Sequence, residues 1–171
     1  GEVSMNALLT QVLHDLEAET QGRRIAWSIS DLPPVQGDAE MLRLVWRNLL
    51  SNAVKYSQPR ENAQIEVGCM RHERENVFFV RDNGVGFDMN YVGKLFGVFQ
   101  RLHGVEEFQG TGIGLANVRR IVMRHGGRAW AEGEVGKGAT FYFALPTLEA
   151  MKRFEHHRGV SLSGSDDAPD E

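Results

Sequence analysis

Asp82-Asn-Gly-Val-Gly86 and Gly110-Thr-Gly-Ile-Gly-Leu-Ala116 are the two stretches on which the reading of this chain turns. The first directly follows the apolar run Val77–Val80, so it lies where a strand ends. Glycines two apart let the backbone turn sharply and approach a ligand closely, and an aspartate at a strand end can accept from an exocyclic amino group. Asp-Asn-Gly is also ordinary turn chemistry, so the stretch is not decisive by itself. In the second stretch, alternating glycines precede a helical pattern. Several backbone N–H groups and a helix N-terminus can then face a polyphosphate. Its spacing is GxGxG, it follows a polar loop, and no strand-end acid lies about 20 residues further on, so it is a weak match to a dinucleotide fingerprint. The later Gly133-Glu-Val-Gly-Lys-Gly138 fails as a phosphate-binding P-loop, because Ala131 and Gly138 stand where Gly and Ser/Thr are required. It reads as a hairpin turn.

Working outward, residues Val3 to Glu19 carry Leu8, Leu9, Val12, Leu13 and Leu16 at helical spacing. Arg23–Ile29 alternates as a short strand, ended by Asp31-Leu-Pro-Pro34. A second helix is expected from Asp38, a good N-cap, to the stop at Ser57-Gln-Pro59, with Leu42, Val45, Leu49, Leu50 and Ala53 as its apolar stripe. Strands are expected at Ala63–Met70 and Asn76–Arg81, then a helical stretch from Met89 to about Phe99. A polar link spans Arg101–Gln109, a helix runs from Leu115 to about His125, and strands occupy Arg128–Glu132 and Ala139–Leu145. This order implies an α/β fold, a two-layer sandwich whose mixed sheet is covered by helices on one face. Trp27, Trp46 and Trp130 are assigned to the core, and Cys69 to a buried strand position.

Composition sets outer limits. The chain has 171 residues, 42% of them hydrophobic, and a formal net charge of −4. That supports one domain with a real core and gives no general reason to expect nucleic-acid binding. A single cysteine excludes an intramolecular disulfide framework. No apolar run reaches a membrane span's roughly 20 residues, and a cytoplasmic location without direct membrane insertion is expected. The domain is expected over 1–148, with 149–171 an acidic, disordered tail.

The helix with Arg47-Asn-Leu-Leu-Ser-Asn-Ala-Val-Lys-Tyr56 adds the chemistry. Asn48, Asn52, Lys55 and Tyr56 fall at i, i+4, i+7 and i+8, on one face offset from the apolar stripe. Two amides, an ammonium and an aromatic ring suit a metal–phosphate group beside a base-stacking surface.

An Asn-bearing helix, a strand-end DxGxG, a Phe-rich segment (Lys94-Leu-Phe-Gly-Val-Phe-Gln100), GxGxG opening a helix and Gly136-Lys-Gly-Ala-Thr140 occur here in one order. That order resembles the ATP-binding catalytic domain of sensor histidine kinases, in the GHKL superfamily. The stretches Phe96–His103 and Trp130-Ala-Glu132 resemble the kinase modules of bacteriophytochrome-type light sensors. The resemblance implies that Asp82 accepts from the adenine amino group, with Thr140 sharing a bridging water, and that Tyr56 stacks on or edges the base. It implies Asn52 as a ligand of Mg²⁺ with Asn48 beside it, and Lys55 on phosphate oxygens. Gly84, Gly86, Gly110, Thr111, Gly112, Gly114 and Leu115 would line the nucleotide. Arg101, in the lid expected from about Phe99 to Gly110, would meet the γ-phosphate. Together Asn48, Asn52, Lys55 and Arg101 form the implied catalytic set.

In the ATP-hydrolysing relatives, a Glu that activates water stands four residues before the metal-ligating Asn. Here that position is Asn48, which is no base at neutral pH. The resemblance thus implies transfer of the γ-phosphoryl group to a histidine on a separate dimerisation and phosphoacceptor domain, and onward to a response regulator. His14 lacks the Pro that follows the family's acceptor, and is read as an exposed helix residue. A non-catalytic nucleotide-binding scaffold and an anti-sigma-type serine kinase are the alternative functions. Without the acceptor helices the chain is expected to be a monomer.

Overall fold

The computed structural model describes residues 1–91, 96, 112–153 and 156. Its central sheet has the order β2-β4-β5-β7-β6, formed by β2 (Ile25–Ile29), β4 (Ala63–Arg71), β5 (Glu75–Asp82), β6 (Arg128–Glu134) and β7 (Gly138–Pro146). β2 and β4 pair in parallel, and the remaining neighbours are antiparallel. A parallel pair needs a crossover, and α3 (Ala39–Tyr56) supplies it between those two strands. The other helices are α1 (Met5–Asp15), α2 (Glu17–Thr20) and α4 (Gly112–Arg124). α3 packs against α1 on one side and α4 on the other.

The period of two along each strand decides which residues meet the helices. Ile65 and Val67 of β4, Phe78 and Val80 of β5, and Phe141, Phe143 and Leu145 of β7 are buried in one core with Leu42, Trp46 and Leu49 of α3. Trp46 meets Phe78 and Phe143 edge-on at 5.8 and 5.0 Å. The opposite sheet face carries Phe79, Tyr142 and Trp130, with Tyr142 and Trp130 stacked at 5.1 Å and the Arg128 guanidinium 4.3 Å above the Trp130 ring. Trp130 therefore sits on the outer face, half-buried, and only Trp46 is wholly in the core. Cys69 is likewise half-buried, and burial pushes its thiol up to about 11 against the pull of the Arg71 charge.

α3 begins where its cap predicts, with Asp38 Oδ1 accepting from Met41 N at 3.0 Å. Its start is also tied to α4: Asp38 N donates to His125 Nε2 at 3.1 Å, while His125 Nδ1 lies 2.8 Å from Ile121 O. A bond from a backbone N–H at Nε2 fixes the tautomer with the proton on Nδ1. The far end of α3 is capped by Arg23, which donates to Val54 O at 2.6 Å and Ser57 Oγ at 3.2 Å.

Three local expectations need correction. The expected helix over Val3–Glu19 is two helices that meet at Leu16. Val3 instead belongs to β1 (Glu2–Val3), which pairs antiparallel with β3 (Val35–Gln36). Residues 148–153 are helical, capped by Thr147 Oγ1 accepting from Ala150 N at 3.0 Å, so ordered structure enters the segment assigned to the tail.

Candidate functional site

The last two turns of α3, the segment 82–86 and the β6–β7 turn come together at one end of the sheet. Asp82 closes β5 on the same inward face as Phe78 and Val80, and is only 4% exposed. Gly84 N donates to its Oδ1 at 2.8 Å, and the Ala139 backbone also bonds the carboxyl group. Oδ2 has no partner among the described residues. Burial pushes the carboxyl up to about 6, against the pull of those two backbone bonds. Buried polar atoms are nearly always paired, so this carboxylate oxygen offers an acceptor to a donor from beyond the described residues.

Tyr56, 8% exposed, stands beside it. Burial, then the Asp82 charge, raises its hydroxyl above the ordinary value. Asn48 and Asn52 are half-buried and Lys55 is exposed along the same face of α3. Asn48 Nδ2 donates to Gly114 O at 3.2 Å, which ties α3 to the first turn of α4. The structure thus gathers Asp82, Tyr56, Asn48 and Gly114 around the C-terminal half of α3, with Asn52 and Lys55 on its polar stripe. Gly112 opens α4, and the Asn48–Gly114 bond sets the first turn of that helix beside the polar face of α3. Leu115 belongs to the core, 3% exposed.

Thr140 does not join them. The register pairs Asp82 with Ala139 and Arg81 with Thr140. Side chains alternate across a strand, so Thr140 points to the outer face, where its Oγ1 accepts from Arg81 Nε at 3.1 Å. The glycines of 82–86 are also required by packing within the chain. A Cβ at Gly84 would overlap the Tyr56 carbonyl, and one at Gly86, where φ is +68°, would overlap the Glu134 carbonyl. Their smallness lets the segment press against α3 and the β6–β7 turn. Arg101, Gly110 and Thr111 lie outside the described residues.

Two contributors were not foreseen. Asn83 bridges Gln64 N and Asn62 O through its amide, at 2.9 and 3.1 Å. Arg60 donates to three backbone carbonyls, those of Asn83, Gly84 and Gly136. A lone Arg after a helix stop has no periodicity to announce it.

Among the described residues no group of three or more His, Cys, Asp or Glu could hold a metal ion. A divalent ion here would need oxygens from a bound phosphate as well as an amide such as Asn52. That fits a hard cation that keeps substrate oxygens in its shell.

A buried, half-satisfied aspartate at the strand end and a polar helix face tied to a glycine-opened helix form the geometry expected of a nucleotide site. Residues 37–149 match the family described as histidine kinase-, DNA gyrase B- and HSP90-like ATPase. The chain belongs to that family. Cyanobacterial phytochrome A of Nostoc sp. is 44% identical over 115 residues, covering 67% of this chain and 15% of the relative. The methanogenesis regulatory histidine kinase FilI of Methanothrix harundinacea is 40% identical over 147 residues, 85% of this chain and 16% of its own length. The chain therefore spans about a sixth of these relatives. Among solved structures, the mycobacterial sensor histidine kinase MprB superposes with a TM-score of 0.74 at 22% identity, covering 85% of this chain and 97% of the other; it supports the fold alone. Full-length ShkA in complex with AMPPNP reaches a TM-score of 0.69 at 31% identity, over 85% of this chain and 30% of ShkA. The expected two-layer fold holds, and the chain is a catalytic module of the histidine-kinase type. The phytochromes among its relatives agree with the likeness in its Phe96–His103 and Trp130–Glu132 stretches.

Proposed function

We propose that this module binds Mg·ATP and donates the γ-phosphoryl group to a histidine imidazole on a separate helical dimerisation and phosphoacceptor domain. A response regulator would then receive the group downstream. The observation that carries this reading is the orphan Oδ2 of Asp82, buried beside Tyr56, which suits the 6-amino group of adenine. From that anchor the polar face of α3 runs toward the start of α4, where backbone N–H groups and Lys55 suit phosphate oxygens. Mg²⁺, held by Asn52 Oδ1 and phosphate oxygens, would neutralise charge on the polyphosphate.

The transfer itself asks little of the protein beyond positioning and charge stabilisation. An imidazole nitrogen attacks the γ-phosphorus, the bond to the β-bridging oxygen breaks, and ADP leaves with the electron pair while the imidazolium loses its proton to solvent. With Asn48 donating to Gly114 O, that position offers an amide and no base for water. The module therefore holds ATP for transfer and hydrolyses it slowly. Among the described residues no helix is long and apolar enough to cross a membrane. We place the reaction in the cytoplasm and take the module alone as a monomer.

The test is calorimetric titration with Mg·AMPPNP, the analogue named with ShkA, followed by incubation with γ-labelled ATP and a separately supplied acceptor domain. An acid-labile, base-stable label is expected. An acid-stable label would move the assignment to a serine kinase, and absence of binding up to millimolar analogue would overturn it.

A further inference from the structure

Arg60 connects the recognition carboxylate to the rest of the fold through one peptide plane. Its Nε donates to Asn83 O at 2.9 Å, and its Nη2 donates to Gly84 O at 3.2 Å and Gly136 O at 2.6 Å. The Asn83 carbonyl belongs to the same peptide group as Gly84 N, and Gly84 N is the donor that holds Asp82 Oδ1 at 2.8 Å. The chain of contacts thus runs from the guanidinium through the Asn83–Gly84 peptide to the carboxylate. Hydrogen bonds in such a series polarise one another.

The third bond fixes where that plane sits. Gly136 lies in the β6–β7 turn, and its N–H donates to Val85 O at 2.7 Å, while Val85 N donates to Tyr56 O at 3.1 Å. Arg60 therefore closes a bridge across the outer edge of a segment already held by α3 and by the hairpin turn. A planar guanidinium presents its donors in a fixed fork, which an ammonium on a flexible stem does not reproduce.

Building on the nucleotide reading above, we propose that Arg60 is a positioning residue for base recognition. Through the Asn83–Gly84 peptide it sets the direction of the Asp82 carboxylate, and so governs the preference for a purine with a 6-amino group without touching the nucleotide.

The test compares ATP with ITP, which carries a carbonyl oxygen where adenine has its amino group. Titrations use the full chain and its Arg60→Met and Arg60→Lys variants, with inorganic triphosphate as a phosphate-only probe. The wild type should prefer ATP by roughly 10- to 100-fold, the range of one hydrogen bond to a charged acceptor. Arg60→Met should cut that preference about tenfold and leave triphosphate binding unchanged, and Arg60→Lys should not restore it. An ATP-to-ITP ratio that stays at the wild-type value in Arg60→Met overturns the proposal even if its melting temperature falls, because a smaller folded fraction weakens both ligands equally. Should Arg60→Met not fold, Arg60→Lys decides alone: a reduced ratio supports the fork and a wild-type ratio overturns it. A wild type that binds neither nucleotide overturns the nucleotide reading itself, whereas one that binds both equally leaves that reading standing and overturns the assignment of Asp82 to the base and this proposal with it.

Discussion

Replacing Asp82 by Asn should stabilise the fold at neutral pH while removing its recognition of the base. The carboxyl is 4% exposed and one of its oxygens is unpartnered among the described residues. Burial raises it from the ordinary 3.8 to about 6. Between those values the folded chain binds more protons than the unfolded chain, so stability from this group falls as pH rises from about 4 to about 6, and the loss is complete above that. Its full size is about 3 kcal/mol, at about 1.4 kcal/mol per pKa unit. Asn is close in shape, keeps an oxygen for Gly84 N, and never ionises. Protonated Asp and Asn both place an unpartnered donor in the same position, so that cost cancels between them. The two proteins should then be about equally stable at pH 4, and Asp82→Asn about 3 kcal/mol more stable at pH 7.5.

Urea denaturation at half-unit pH steps, followed by the fluorescence of buried Trp46, measures this directly. Other carboxylates titrate in both proteins and subtract out of the difference curve. A difference that stays flat between pH 4 and 7 would refute the reasoning, because the buried carboxylate would then not be the costly group. A stabilised variant that still prefers ATP over ITP would refute the assignment of Asp82 to the base.

Two further substitutions probe neighbouring parts of the site. Gly84→Ala forces a methyl group into the Tyr56 carbonyl and should cost about 3 kcal/mol, the upper part of the overpacking range; denaturation measures it, and a cost under about 1 kcal/mol would mean that the segment moves freely. Asn52→Ala should lower phosphotransfer on the order of 100-fold, as removal of a positioned charge-stabilising contact does, with adenosine affinity unchanged; equal losses of both would place Asn52 at the base instead.

Legibility in the sequence followed how local each signal was. α3 was readable from end to end, because an Asp cap, an apolar stripe and a Ser-Gln-Pro stop are written in consecutive residues. The strands were readable from alternation, and Asp82 from its place at the end of one. The face of Thr140 was not, since its neighbour in the sheet depends on the β5–β7 register, and a shift of one residue exchanges Thr140 for Ala139 opposite Asp82. The two-residue β1–β3 ladder is too short to carry a period. The break at Leu16 leaves the apolar spacing intact, so a single helix fits the pattern equally well. Arg60 escapes for another reason: its partners are backbone carbonyls from two distant segments, and carbonyls have no sequence signature.

The same carboxylate ties ligand binding to protons. An amino group donating to Oδ2 favours the ionised form, so binding must lower the carboxyl from its unliganded value of about 6. At pH 6 about half of the unliganded molecules carry this proton, and saturation with adenosine should release up to about half a proton per site; at pH 8 almost none remains to be released. Adenosine is the right probe because it has no phosphates to titrate in this range. Calorimetry in two buffers of different ionisation enthalpy reads the released protons from the difference in apparent heat. The pH 6 release should vanish in Asp82→Asn even at adenosine concentrations that saturate it. Tight adenosine binding at pH 6 with no proton release would show that the base is held by something other than Asp82, and the polar face of α3 would then have to be reassigned.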